Sequence, residues 1–182
     1  MTESNRKRLL QIARASIEAT VRGDPLPRVE EKDPELTGRQ GAFVSLHNGE
    51  ALRGCLGHFT SNEPLCKLVN ELARAAATED PRFTGQPITP QELLDIRIEI
   101  SVLSPLRKIK NPLDIELGVH GIYIRRGYAS GCFLPQVATE TGWTKEQFLG
   151  YCCSHKAGLA ADAWKDPKTE VQVFTAEVFG ES

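Results

Sequence analysis

Apolar residues recur near the start of the chain at the spacing of one helical face: Leu9, Ile12, Ala13, Ile17 and Val21, with the small Ser16 on the same side. The spacing predicts a helix from a Ser4 cap to about Arg22. Gly23 supplies its left-handed stop, and Pro25 and Pro27 prevent it from continuing. Pro25 to Arg39, rich in proline and charge, reads as a connecting loop. The period then switches from helical to alternating. Ala42-Phe43-Val44-Ser45-Leu46 and Ala51-Leu52-Arg53-Gly54-Cys55-Leu56 flank Asn48-Gly49, a pair suited to the type I′ turn of a two-residue hairpin. With that turn, Val44 lies opposite Arg53 and Ala42 opposite Cys55.

Helical spacing returns at Leu65, Leu68, Val69, Leu72, Ala73 and Ala76, opened by Ser61 or Asn62 with Pro64 near the first turn. The charged stretch Glu79-Asp80-Pro81-Arg82-Phe83 ends that helix. Thr89-Pro90-Gln91-Glu92 has the form of a capping box and starts a short helix. Ile96, Ile98, Ile100 and Val102 alternate with Arg97, Glu99 and Ser101, the pattern of an antiparallel strand buried on one face. Gly121 to Phe133 reads as a second hairpin turning near Arg126-Gly127. Thr144-Lys145-Glu146-Gln147 caps a helix through Cys152 to Lys156, and Thr169 to Phe179 is a closing strand. The elements predict an α+β fold, an antiparallel sheet flanked by helices, with no internal repeat.

Length and charge narrow the picture. A chain of 182 residues fits one domain, or one domain with a smaller lobe. The net charge of −2 argues against a general electrostatic grip on nucleic acid, which needs a concentrated basic surface. Arg6-Lys7-Arg8 and Arg125-Arg126 read as solvated faces. No segment approaches the roughly 18 apolar residues of a membrane span. The polar N-terminus lacks the apolar core of a signal peptide. Five cysteines, an odd number with no Cys-x-x-Cys pair, read as reduced thiols of a soluble, cytoplasmic protein.

Two of the strand residues carry candidate chemistry. Side chains alternate along a strand, so Arg53 and Cys55 share a face, about 7 Å apart. A nearby guanidinium favours the thiolate, which makes Cys55 the candidate nucleophile and Arg53 its activating or anion-holding partner. A buried arginine needs a carboxylate, and Glu63, Glu79 and Asp80 are candidates. Gly54 and Gly57 remove side chains around the thiol and let a ligand or another backbone approach. Against this stands the commoner role of a strand cysteine as a small buried apolar residue. Cys55 and His58 with Cys153 and His155 contain the donor types of a zinc site. Cys153 and His155, two apart on a helix, point away from each other, so no metal is expected.

The run Leu52-Arg53-Gly54-Cys55-Leu56-Gly57 closely resembles the Leu-Arg-Gly-Cys-Ile-Gly signature of the AMMECR family. Glu79-Asp80-Pro81-Arg82-Phe83, Ile98 to Pro105, His120-Gly121-Ile122, Leu134 to Ala138 and Lys156-Ala157-Gly158-Leu159 agree with it as well, over about Gly41 to Phe179. The resemblance implies a single AMMECR-like domain over residues 1–182, with two α+β lobes and an antiparallel sheet. It implies no established reaction and no cofactor. Prokaryotic members resemble component A of the AmmeMemoRadiSam system, which implies Memo-like and radical SAM proteins as partners. A cleft is expected between the signature hairpin and the segments near His120, Pro135-Gln136 and Lys156. Gly54, Gly57, His58, His120, Gln136 and Lys156 are therefore the candidate ligand contacts. The functional expectations are an enzyme or enzyme-system component centred on Cys55 and Arg53, a non-catalytic adaptor for such partners, or a nucleotide or nucleic-acid binder.

Overall fold

A computed structural model of the protein describes residues 1–181. In chain order the elements are α1 (Glu3–Arg22), α2 (Pro34–Thr37), β1 (Ala42–Asn48), β2 (Ala51–His58) and α3 (Leu65–Thr78). There follow β3 (Ile96–Leu103), β4 (Arg107–Lys108), β5 (Gly121–Arg126), β6 (Ala129–Phe133), α4 (Pro135–Thr141), α5 (Lys145–Tyr151), β7 (Glu170–Phe174) and β8 (Ala176–Gly180). Two compact units result: Met1–Leu103 with the segment from Glu177 onward, and Ser104–Ala176. Each holds one four-stranded antiparallel sheet, in the orders β2-β1-β3-β8 and β4-β7-β5-β6. The fold is α+β. Among the described residues, no helix is long and apolar enough to cross a membrane.

In the first unit α1 and α3 bury their apolar faces on one side of the sheet. Leu9, Ile12 and Ile17 of α1 and Leu65, Val69 and Leu72 of α3 join Val44, Leu46, Ile96, Ile98 and Ile100 in one core. Each such side chain contributes roughly 1.5–3 kcal/mol of transfer free energy. The helix α1 starts two residues earlier than expected, because Thr2 rather than Ser4 is the cap, its side chain accepting from the Asn5 N–H. It stops at Gly23 in the left-handed region, φ 76°.

The hairpin register differs from the expected one. Asn48 pairs with Ala51, so the turn residues are Gly49 and Glu50. Only Gly49 has a positive φ, the arrangement of a type II′ turn. A bulge then shifts the pairing between Leu46 and His47, leaving Arg53 as the extra residue between Leu52 and Gly54. Cys55 consequently faces Ser45, not Ala42, and Arg53 has no partner where Val44 was expected.

In the second unit Ile122 and Ile124 of β5, Phe133 of β6, Phe148 and Leu149 of α5, Trp164, and Val171 and Val173 of β7 form the core. The α5 capping box is complete, Thr144 with Gln147, and the helix widens into a π-helical turn over Cys152–Lys156. The other expected capping box is only half made. The Glu92 N–H donates to Thr89 Oγ1 at 3.2 Å, the helix there is a single 3₁₀ turn, and the Glu92 side chain points elsewhere. The expected closing strand is two strands in different sheets: β7 ends at Phe174, and Thr175 separates it from β8.

Gly54 shows how closely α3 approaches the sheet, since a Cβ there would lie 2.0 Å from the backbone oxygen of Ala76. Backbone cannot rotate away as a side chain can. Gly54→Ala is therefore expected to cost about 3 kcal/mol, or to prevent folding. Urea denaturation checks it: the midpoint should fall while the slope stays unchanged.

Candidate functional site

The strand β2 is an edge strand, so one side of its backbone has no neighbouring strand. At Cys55 that side is occupied by an ion pair from the turn after α3. The Cys55 N–H donates to Asp80 Oδ2 at 2.9 Å, and Arg82 Nη2 donates to the Cys55 carbonyl at 3.4 Å. Arg82 holds Asp80 through Nε at 3.0 Å and Nη2 at 2.7 Å, while its backbone N–H also donates to Asp80 Oδ1. Pro81 permits this local geometry, because it opens a 3₁₀ turn that Asp80 caps. The Arg82 guanidinium holds the Asp80 carboxyl well below the usual carboxylate range. The Cys55 N–H adds to the effect, and burial opposes it.

The Cys55 side chain is half-buried on the face shared with Ser45, whose hydroxyl donates to the sulfur at 3.2 Å. Neither a pure aliphatic setting nor open solvent surrounds it. Arg82 is the guanidinium that interacts with this thiol: after Asp80, the Cys55 side chain is among the groups that raise the arginine's pKa. Arg53 is engaged elsewhere. Its Nε and Nη2 donate to the two Glu92 oxygens at 2.5 and 3.2 Å, and Nη2 also reaches the Gln86 carbonyl at 3.2 Å. Its carboxylate partner is thus Glu92, not Glu63, Glu79 or Asp80. The hydrogen bonds from Arg53 lower the Glu92 pKa, and Glu92 raises that of Arg53. The Phe83 ring lies beside both guanidinium groups, 5.7 Å from Arg53 Cζ and 5.6 Å from Arg82 Cζ.

The glycines of the signature have contacts of their own. Gly54 lies against Ala76, and a Cβ at Gly57 would meet the Phe43 ring at 2.3 Å. His58 is exposed and lines a cavity of about 920 Å³ with Arg28, Lys67 and Asn70. The remaining candidates belong to the second unit. His120 accepts the Glu116 N–H at its Nδ1, 3.0 Å. Gln136 Oε1 is buried without a hydrogen-bond partner among the described residues. Lys156, exposed on the π-helical turn, lies 5.8 Å from the centre of the Phe133 ring.

The other thiols are suppressed. Burial pushes Cys132 up to about 11 and raises Cys66, Cys152 and Cys153. Ser45, Arg82 and Glu92 are site residues that pattern reading missed, while Asp80, nominated as a partner for Arg53, serves Arg82 and Cys55 instead. A signal existed for Arg82, because Asp-Pro-Arg reads as a capped turn that sets the arginine beside the aspartate.

Fold and geometry define a two-sheet α+β protein with a thiol on a clamped edge strand. The AMMECR1 family model matches residues 10–179, and the chain belongs to that family. A protein of Methanothermobacter thermautotrophicus is 43% identical over 180 residues, covering 95% of this chain and 92% of that protein. Protein NEQ441 of Nanoarchaeum equitans is 42% identical over 180 residues, covering 95% and 98%. A crystal structure of the uncharacterised protein PH0010 from Pyrococcus horikoshii superposes with a TM-score of 0.83 at 37% identity, covering 96% of this chain and 90% of that one.

Because the native Asp80 pKa lies below the unfolded value near 3.9, its contribution is complete above that value. It is lost as the pH falls toward the native pKa. Asp80→Asn should cost about 2 kcal/mol at neutral pH. It should also flatten the decline of stability below about pH 4. Urea melts of both chains across that range check the sign.

Proposed function

We propose that this chain is an enzyme, or the substrate-handling component of one, whose working group is the Cys55 thiol. One observation carries the reading. Alone among the described cysteines, Cys55 combines partial exposure with a hydroxyl hydrogen bond to sulfur and a strand segment pinned on its free edge. A partly exposed thiol can meet a ligand, and the Ser45 hydroxyl that donates to the sulfur helps to hold it in place. Pinning both backbone groups of the residue fixes where the sulfur sits, which is what positioning of a nucleophile requires. In this reading Arg53 and Glu92 form the support that holds the bulge before Cys55. The cysteine remains the reacting group.

A second reading has its own observation. Gly54 and Gly57 are accounted for by close approach of Ala76 and Phe43, so part of the signature is shape. That favours an adaptor presenting a fixed surface to a partner, such as a Memo-like or radical SAM protein.

Peptide-resolved labelling with iodoacetamide at about pH 8 separates the cysteines. Cys55 should be alkylated first of the five, and labelling no faster than that of Cys132 would overturn the working-thiol reading. In cells, Cys55→Ala should abolish function while the protein stays folded. Full function from that variant would favour the adaptor.

A further inference from the structure

We propose that the Cys55 site selects partners bearing an oxyanion, a carboxylate or phosphate, that Arg82 binds this group, and that Asp80 is the residue that positions Arg82. The inference rests on the reading of Cys55 as the working thiol and adds to it the class of molecule the thiol meets.

Asp80 and Arg82 form an asymmetric pair. The Asp80 side chain is 2% exposed and that of Arg82 56%. Both oxygens of the carboxylate are occupied: Oδ1 accepts the Arg82 N–H and Nε, and Oδ2 accepts the Cys55 N–H and Arg82 Nη2. The negative end of the pair is therefore turned inward and saturated. The positive end is turned outward. The bonds that hold Arg82 to Asp80 and to the Cys55 carbonyl use Nε and Nη2, which leaves the two N–H donors of Nη1 for an incoming oxygen. A guanidinium held flat by a carboxylate on one edge holds the two N–H groups of Nη1 in fixed directions, each able to donate to an oxyanion.

The same pair is fastened to the backbone of the nucleophile. Arg82 Nη2 bridges Asp80 and the Cys55 carbonyl, so the outward donors sit a few ångströms from the residue that carries the sulfur. Arg53, which the residue pattern nominates, is placed differently. Its side chain is 16% exposed, and it is matched to both oxygens of a Glu92 that is 17% exposed. A charge so enclosed is spent on structure. Glu99, opposite Ser45 on β3, lies on the Cys55 face two strands from Cys55. At about 10 Å it is a Debye length away at moderate salt and does not cancel Arg82.

Iodoacetate and iodoacetamide test this on the intact protein. With either reagent the Cys55 thiolate forms the new S–C bond and iodide leaves with the electron pair of the broken C–I bond. The ratio of the two rates therefore cancels the thiol's ionisation and the accessibility of its peptide, and reads charge selectivity alone. Relative to free cysteine, the wild-type ratio should favour iodoacetate by about fivefold, the scale of a half-exposed charge contact. Arg82→Gln should abolish the preference, Arg82→Lys should keep most of it, and Asp80→Asn, which keeps the arginine's charge, should reduce it. An unchanged ratio in Arg82→Gln overturns the assignment, and an unchanged ratio in Asp80→Asn overturns the positioning role. Should Arg82→Gln fail to fold by circular dichroism, the wild-type chain decides: its preference must fall with added salt, and a salt-independent ratio overturns the proposal. A wild-type Cys55 that reacts with neither reagent defeats the working-thiol reading itself. A Cys55 that reacts with both at a ratio indifferent to Arg82 defeats the oxyanion assignment alone.

Discussion

An exposed sheet edge leaves backbone donors and acceptors without partners, and the first unit resolves this at β2 with one ion pair instead of another strand. A fifth strand would run its length along β2 and cover the Cys55 face with its own side chains. The Asp80–Arg82 pair instead satisfies a single residue, taking the N–H and the carbonyl of Cys55. The strand is blunted against pairing with other chains at the point where its one thiol sits, and the face beside it stays uncovered by that device. The position of the turn follows from the same demand. The helix α3 ends at Thr78, so Asp80 is delivered to the edge two residues later.

The close approach of α3 to β2 is the counterpart on the buried side. Gly54 accepts the Ala76 backbone where any side chain would collide with it, and this sets the distance between helix and strand. Because the Asp80 turn leaves the end of α3, that distance also sets where the carboxylate falls. The Arg53 bulge belongs to the same arrangement: it advances the pairing by one residue, which gives Cys55 a serine opposite it and leaves Arg53 to reach Glu92. Glycine, bulge and ion pair are three solutions to one steric problem on adjacent residues.

Most of the fold was legible because it is periodic. The apolar faces of α1 and α3, the alternation along β3, the Gly23 stop and the Thr144–Gln147 box each depend on residues within a turn or two of one another. The hairpin register was not legible for a physical reason. Asn48-Gly49 suits a type I′ turn, but Asn48 is held in the pairing and its side chain bonds to Glu92, far along the chain. The same Glu92 reads locally as the last member of a capping box, yet Arg53 outbids Thr89 for its carboxylate. Tertiary pairing overrode a local motif twice through one residue. The thiol and its neighbours were legible as a run of residue types. The guanidinium beside the thiol was not, because nothing in the spacing of Arg82 from Cys55 shows that a turn returns to a strand edge.

Arginine near cysteine is a weak clue until it is known how each arginine is compensated. Both Arg53 and Arg82 face a carboxylate through two nitrogens, and by formal charge the two pairs are alike. They differ in which partner water reaches. Around Arg53 both members are nearly equally enclosed, so the pair is a crosslink with little field beyond it. Around Arg82 the carboxylate is sealed and the guanidinium is open, so the pair is a dipole whose positive end faces outward. Solvent screens that field but does not reverse it. Removing Asp80 would leave the arginine its charge and deprive it of its direction. Burial of the acid, rather than the presence of the base, is therefore what turns a structural clamp on a strand edge into a recognition element beside a thiol.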